Sequence, residues 1–185
     1  MRFAHVMTAG ADDPRLVLVE DDRATFVGDL FAGAPDRLQQ LIELGDDGLA
    51  RVADAATRAD IAWHGVDGST FASAVLAPPI VLAVGLNYAA HSSELGLKAD
   101  TAPTVFTLWP NSLTAHDAIT SWPRSLSESV DYEAELGVII GAAAKDVPAD
   151  TALDHVWGYT VVNDITARDI QFSEAQWSRC KSFDG

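Results

Sequence analysis

With 185 residues and 48% hydrophobic side chains, the chain has material for one sizeable core, or for a core domain with a small one appended. A net charge of −15, from 12 basic and 27 acidic residues, excludes a polyphosphate-binding surface and so nucleic acid, but not an anionic small substrate in a locally basic pocket. The single cysteine, Cys180, excludes an internal disulfide and suits a reducing, cytoplasmic setting.

At the N-terminus, Arg2 is followed by too few apolar residues before Gly10 and Asp12 to make a signal-peptide core. Residues 2–8 and 15–20 are β-like runs around a Gly/Asp/Pro turn and predict a hairpin, with 23–27 as a third strand. Pro35 and Asp36 open a helical pattern in which Leu38, Leu41, Ile42 and Leu44 share a face as far as Gly45. Leu49, Val52, Ala53 and Ala56 predict a second helix. Nothing in 1–57 carries chemistry; His5, and His64 just beyond, read as packed or exposed side chains rather than ligands. Residues 60–77 connect onward with little periodicity. The expected domains are therefore a small N-terminal α+β domain with its connector at 1–77 and a catalytic domain at 78–185.

The longest apolar run, 72–86, is broken by Pro78 and Pro79 and is too short to span a bilayer, so no membrane role is expected. Within it, 80–84 predicts a buried strand ending at Gly85. A short helical segment follows in which His91 and Glu94, three residues apart, are neighbours on one face. A carboxylate beside an imidazole fixes its tautomer and raises its basicity, which suits a general base. The same spacing also suits an ordinary surface pair. Residues 104–109 predict another strand, 110–112 a turn, and 116–128 a loop.

Residues 130–141, V-D-Y-E-A-E-L-G-V-I-I-G, alternate with period two. Tyr132, Ala134, Leu136 and Val138 form an apolar face for the core; Asp131, Glu133 and Glu135 lie on the other face. Glu133 and Glu135 leave that face about 6–7 Å apart at their roots. Two carboxylates so close raise each other's pKa, and a hard divalent cation removes the penalty. The alternative is a solvated edge strand, but the run into Val138, Ile139 and Ile140 predicts burial and favours a metal, provided a third ligand exists. Residues 157–162 predict the next buried strand, which ends in N-D-I-T-A-R-D-I-Q. Asp164 thus stands at the carboxyl end of a strand, where α/β sites place functional groups. Arg168 and Gln171 follow four and seven residues on, along one stripe of a helix. Asp164 also suits an N-cap, although Thr166 with Asp169 matches a capping box. Lys181 adds a cation near the three acids.

Four ordered motifs together resemble the fumarylacetoacetate hydrolase family: V-G-L-N-Y-A-A-H-S-S-E at 84–94, P-T-V-F-T-L-W-P-N-S-L-T at 103–114, the acidic strand, and G-Y-T-V-V-N-D-I-T-A-R-D-I-Q followed by Q-W-S-R-C-K-S-F-D-G. The resemblance runs from residue 80 to 185. It implies an α+β, mostly β fold: a mixed β-sandwich roll with the small N-terminal domain. It also implies a divalent metal, Mg²⁺ or Mn²⁺ and sometimes Ca²⁺, held by Glu133, Glu135 and Asp164. His91 with Glu94 takes the base role; Lys181 stabilises developing oxyanion charge with Arg168 and Gln171, which together with Tyr88 contact a small oxo-acid substrate. The implied reaction is hydrolytic C–C cleavage of an acylpyruvate- or fumarylacetoacetate-like 2-oxo acid, with the metal as Lewis acid toward the enolate. Isomerisation or decarboxylation of 2-oxohept-3-ene-1,7-dioate-type acids in aromatic catabolism is the alternative, and a homodimer is implied. The sequence departs from the family at Leu108, where many relatives carry Lys, and at Cys180, where Gly is common and a side chain is expected to strain or reset the loop. Relatives continue past 185, so a truncated member is expected, inactive in the extreme, with strand edges and apolar faces left uncovered.

Overall fold

The computed structural model describes residues 1–8, 10, 13–88 and 102–184. Two compact units share the chain: Met1–Leu76, Ala115–Ala118 and Leu136–Val162 form the first, and Ala77–Thr114, Ile119–Glu135 and Asn163–Gly185 the second. No helix among the described residues is long and apolar enough to cross a membrane.

In the first unit, β1 (Arg2–Val6), β2 (Arg15–Glu20) and β3 (Arg23–Phe26) follow the expected hairpin and third strand. β4 (His64–Gly65) and β5 (Phe71–Ala72) add edges, giving an antiparallel sheet in the order β4-β3-β2-β1-β5. Both edges come from the connector, where two-residue strands are too short to show a period. Alternation along β2 sends Leu16 and Leu18 to one core with Val27, Leu30, Leu38, Leu41, Ile42, Val52 and Ala55. Val17 points the other way, to Val6 and Ala24. The helices are α1 (Leu38–Glu43) and α2 (Gly45–Ala56), and Gly45 takes φ +59 between them. α2 buries Gly48, Val52 and Ala55, whereas Ala53 and Leu44 are exposed.

His5, expected to be packed or exposed, is packed. It is 1% exposed, and the Leu38 N–H donates to its Nε2 at 3.2 Å. That bond makes Nε2 the acceptor, so Nδ1 carries the proton and donates to the Ser73 carbonyl at 3.2 Å. Burial chiefly, opposed by the Ser73 bond, holds the His5 pKa below its ordinary value.

β9 (Ala134–Ile140) and β10 (Val156–Asn163) pair, and their stretches 136–140 and 156–162 belong to the first unit. The period-two alternation is as expected, but the side that faces inward is reversed. Ile139 and Trp157 pack against the core of the first unit. By the same period Leu136, Val138 and Ile140 are 61%, 48% and 57% exposed, and Tyr159 and Val161 of β10 are 59% and 84%. Neither strand is buried on both faces.

In the second unit, β6 (Val81–Gly85) and β7 (Thr104–Leu108) are antiparallel, with Gly85 opposite Thr104. The expected buried strand at 80–84 is half open: Leu82 and Val84 face outward at 58% and 44% exposure. β8 (Val130–Asp131) pairs antiparallel with β11 (Thr166–Ala167), which leads into α3 (Arg168–Ser173). The Arg168 N–H donates to the Ser129 carbonyl at 2.7 Å. The Asp169 carboxylate accepts from the Ser127 hydroxyl at 2.7 Å and the Glu128 N–H at 3.2 Å. The expected Thr166–Asp169 capping box is therefore absent: Ala167 occupies the cap position with no side-chain bond, and Thr166 turns inward.

A 3₁₀ turn, Arg179–Lys181, closes over a small core of Ala167, Ile170 and Cys180, with Trp177 and Phe183 against it. At Cys180, where a side chain is expected to strain or reset the loop, the backbone is not left-handed and the side chain, 0% exposed, fills that core. Its thiol donates to the Trp177 carbonyl at 3.0 Å.

Candidate active site

The acidic sequence does not run as one strand. Between β8 and β9, at Tyr132 and Glu133, the ladder is interrupted. There the Glu133 N–H donates to the Asn163 side-chain carbonyl at 3.1 Å, and the Asp164 N–H donates to the Glu133 carbonyl at 2.9 Å. This break re-aims Glu133 and ties its backbone to Asp164, just past the end of β10. Glu133, Glu135 and Asp164 then each offer a carboxylate oxygen within 4.8 Å of the other two.

Asp164 is neither a helix cap nor on the helical stripe expected for it; the helix begins four residues later, at Arg168. Arg168 and Gln171 do share a stripe, and Arg168 Nη1 donates to Gln171 Oε1 at 2.8 Å. The same Nη1 donates to Glu133 Oε1 at 2.6 Å, while Nε and Nη2 donate to Asp131 Oδ2 at 3.1 and 2.8 Å. Lys181, its side chain 2% exposed, donates from Nζ to Glu133 Oε2 at 3.0 Å, Asp164 Oδ2 at 2.8 Å and Thr166 Oγ1 at 2.7 Å.

Burial and pairing act oppositely on the acids. Burial raises Glu133, but Lys181 and Arg168 together outweigh it and leave its pKa below the ordinary value. Asp164 lies deeper; burial, reinforced by Glu133, outweighs Lys181 and raises its pKa. Arg168 loses some basicity to burial, yet its bonds to Asp131 and Glu133 more than restore it. Among the described residues, four formal carboxylates, Asp131, Glu133, Glu135 and Asp164, lie together with two cations, Arg168 and Lys181. Hard oxygen donors converging in a half-buried cluster suit a divalent cation such as Mg²⁺, Mn²⁺ or Ca²⁺. A carboxylate has about four lone-pair sites, so pairing to Lys181 or Arg168 does not bar coordination.

Gly85, Leu86, Asn87, Tyr88, Phe106, Gln171 and Trp177 line the pocket with the three acids and Lys181. Tyr88, expected as a substrate contact, is thus at the site. Leu86 takes φ +57, a left-handed conformation uncommon for a leucine, as the chain leaves β6. The Trp177 and Phe106 rings meet edge to face, centroids 5.6 Å apart. Leu108, half-buried opposite Val81, is not among the lining residues. His91 and Glu94 lie outside the described residues.

Reading the sequence missed Thr166, Trp177 and Phe106. Thr166, at 0% exposure, had a legible signal: it stands two residues from Asp164 and enters a strand, so both side chains can share a face.

Residues 80–185 match the sequence model described as the C-terminal part of fumarylacetoacetate (FAA) hydrolase. Oxaloacetate tautomerase YisK of Bacillus subtilis is 42% identical over 106 residues, covering 56% of this chain and 35% of that protein. The structure of a fumarylacetoacetate hydrolase from Exiguobacterium antarcticum matches with a TM-score of 0.77 at 29% identity, over 99% of this chain and 62% of that one. A 5-carboxymethyl-2-hydroxymuconate delta-isomerase from Mycobacterium smegmatis matches with a TM-score of 0.68 at 26% identity, over 100% of this chain and 62% of that one. The chain thus spans between 35% and 62% of the length of these relatives.

Proposed function

Because the chain belongs to the fumarylacetoacetate hydrolase family and has its α+β, mostly β fold, we propose that it carries the centre of an enzyme that hydrolyses a C–C bond in an acylpyruvate-like 2-oxo acid. The observation that carries this reading is the trio Glu133, Glu135 and Asp164, with oxygens within 4.8 Å of one another and Lys181 bridging two of them. In this reading those three hold a divalent cation, which supplies positive charge and Lewis acidity to a bound 2-oxo acid. Arg168 keeps Glu133 in place from one side and donates to Gln171 Oε1, which turns the Gln171 amide N–H groups to the substrate's oxygens. Tyr88, Phe106 and Trp177 give the pocket its aromatic lining. The base role falls to His91 with Glu94, both outside the described residues: a proton is taken from water, and the hydroxide adds to the distal carbonyl carbon. The adjoining C–C bond breaks, its electron pair passes to the carbon beside the 2-oxo group, and a proton returned to that carbon completes a carboxylic acid and a shorter 2-oxo acid. Lys181 faces the negative charge that develops on the way.

The similarity to the tautomerase favours a second reading, in which the same groups move one proton between carbon and oxygen and no C–C bond breaks. Proton NMR of a panel of acylpyruvates and 2-oxo dicarboxylates separates the two: hydrolysis yields two fragments, whereas isomerisation conserves the carbon skeleton. Calorimetric titration of Mn²⁺ into the chain and into Glu135→Ala tests the centre itself. Saturable binding that the substitution abolishes is the expected result; equal binding by both removes the carboxylate trio from the reading.

A further inference from the structure

Lys181 has three N–H donors, and all three have partners: Glu133 Oε2, Asp164 Oδ2 and Thr166 Oγ1, at 3.0, 2.8 and 2.7 Å. As the protein stands, the ammonium has no donor left for a substrate oxygen. Two of its partners are carboxylates of the trio that the proposed function assigns to a divalent cation. The third, Thr166, is fully buried, and its hydroxyl accepts from Lys181 while directing its own proton to the Asp164 carbonyl at 3.0 Å or Glu133 Oε1 at 3.3 Å. The bond to Thr166 is the only one of the three to a neutral group, so it adds position rather than charge compensation.

We propose that Lys181, anchored by Thr166, is the resident counter-ion of the carboxylate trio and competes with a divalent cation for it, so that Thr166 and Lys181 together set the metal affinity of this chain. The inference rests on the metal reading above and adds an order of events. A cation bound beside Lys181 repels its ammonium and weakens its hold on Glu133 Oε2 and Asp164 Oδ2, and the N–H donors so released then serve the anionic substrate. Metal binding thereby creates the anion site, and substrate binds second. Thr166 is a positioning residue in this scheme, since it acts only through Lys181.

The test is Mn²⁺ calorimetry on the whole chain, on Lys181→Met, Thr166→Val and Thr166→Ser, with a thermal melt of each variant without and with Mn²⁺. A monovalent and a divalent cation sharing two carboxylates repel enough, even at the dielectric of water, to be worth about tenfold or more in Kd. Lys181→Met is therefore expected to bind Mn²⁺ at least ~10-fold more tightly than the parent, with a larger Mn²⁺-induced rise in melting temperature. Thr166→Val loses one neutral hydrogen bond holding the ammonium and is expected to bind about threefold more tightly, with Thr166→Ser at the parent value. A folded Lys181→Met with parental or weaker Mn²⁺ affinity overturns the proposal. Should that variant not fold, Thr166→Val decides, and a Kd equal to the parent's overturns it. Absence of Mn²⁺ binding in parent and folded variants alike removes the metal reading, and this proposal with it; binding by Lys181→Met where the parent shows none supports the competition in its strongest form.

Discussion

Gly85→Ala tests the packing behind the pocket. Gly85 ends β6, and a Cβ built on it lies 2.4 Å from Trp177 Cζ3, 3.1 Å from Cε3 and 3.4 Å from Phe106 Cε1. Carbon atoms are at their optimum near 3.5–4.0 Å, so the first contact is deep in repulsion. The obstacle is a rigid ring rather than a flexible chain end. Trp177 is also braced edge to face by Phe106, and its carbonyl accepts from Cys180. Relief requires the indole to move, and overpacking of this kind costs about 1–3 kcal/mol. Removing a glycine from the unfolded chain returns roughly 0.4–1 kcal/mol, so the net expected loss is about 1–2 kcal/mol. Urea denaturation of the parent, Gly85→Ala, Trp177→Leu and the double variant measures it as a cycle. With Trp177 shortened, Gly85→Ala is expected to be neutral or stabilising. An unchanged midpoint in the single variant, or the same loss in both backgrounds, refutes the packing account.

Arg168→Lys replaces a planar fork by a point charge that cannot serve Asp131, Glu133 and Gln171 together, and is expected to cost about 2 kcal/mol in chemical denaturation; equal stability contradicts the network. Gly137→Ala places a Cβ 2.8 Å from the Cγ2 atoms of both Thr160 and Val162, so faster hydrogen exchange is expected in β10, whereas Gly158→Ala, with nothing within 4 Å, is the silent control. Acid sensitivity of the first unit is expected from His5, whose pKa is depressed in the folded state chiefly by burial. Its contribution is fully present above the unfolded value of about 6.5 and is lost as pH falls through the folded value, with a slope of at most about 1.4 kcal/mol per pH unit. His5→Asn, which does not titrate there, is expected to flatten the fall in urea midpoint between pH 7 and pH 5; an equally steep fall assigns the effect elsewhere.

Period-two alternation made Glu133 and Glu135 legible as neighbours, because side-chain direction along a strand is a local property. It did not say which face turns inward. Ile139 and Trp157 decide that by reaching the core formed by β2, α1 and α2, a long-range fact without a local trace. Asp164 was legible at the end of a strand, but the stripe drawn from it to Arg168 assumed a helix that starts four residues early. β11 intervenes because residues 166 and 167 find a partner in β8. Thr166 was legible as a neighbour of Asp164, but three residues before Asp169 it also reads as a cap, and the buried ammonium of Lys181 shows why its hydroxyl is needed inside. His5 was read as packed or exposed, and the structure packs it with one ring nitrogen accepting from the Leu38 N–H and the other donating to the Ser73 carbonyl.

Cys180 is the chain's only thiol, fully buried, and adjacent in sequence to Lys181. Burial pushes its pKa up, so little of the reactive thiolate exists while the turn is closed. An alkylating reagent can reach it only when the 3₁₀ turn lifts away from Ala167 and Ile170. The labelling rate, divided by that of the unfolded chain in urea, is therefore a clock for opening of the segment that carries Lys181. No fluorophore or engineered residue is required, and each ligand that fastens the turn will be read as a slower clock.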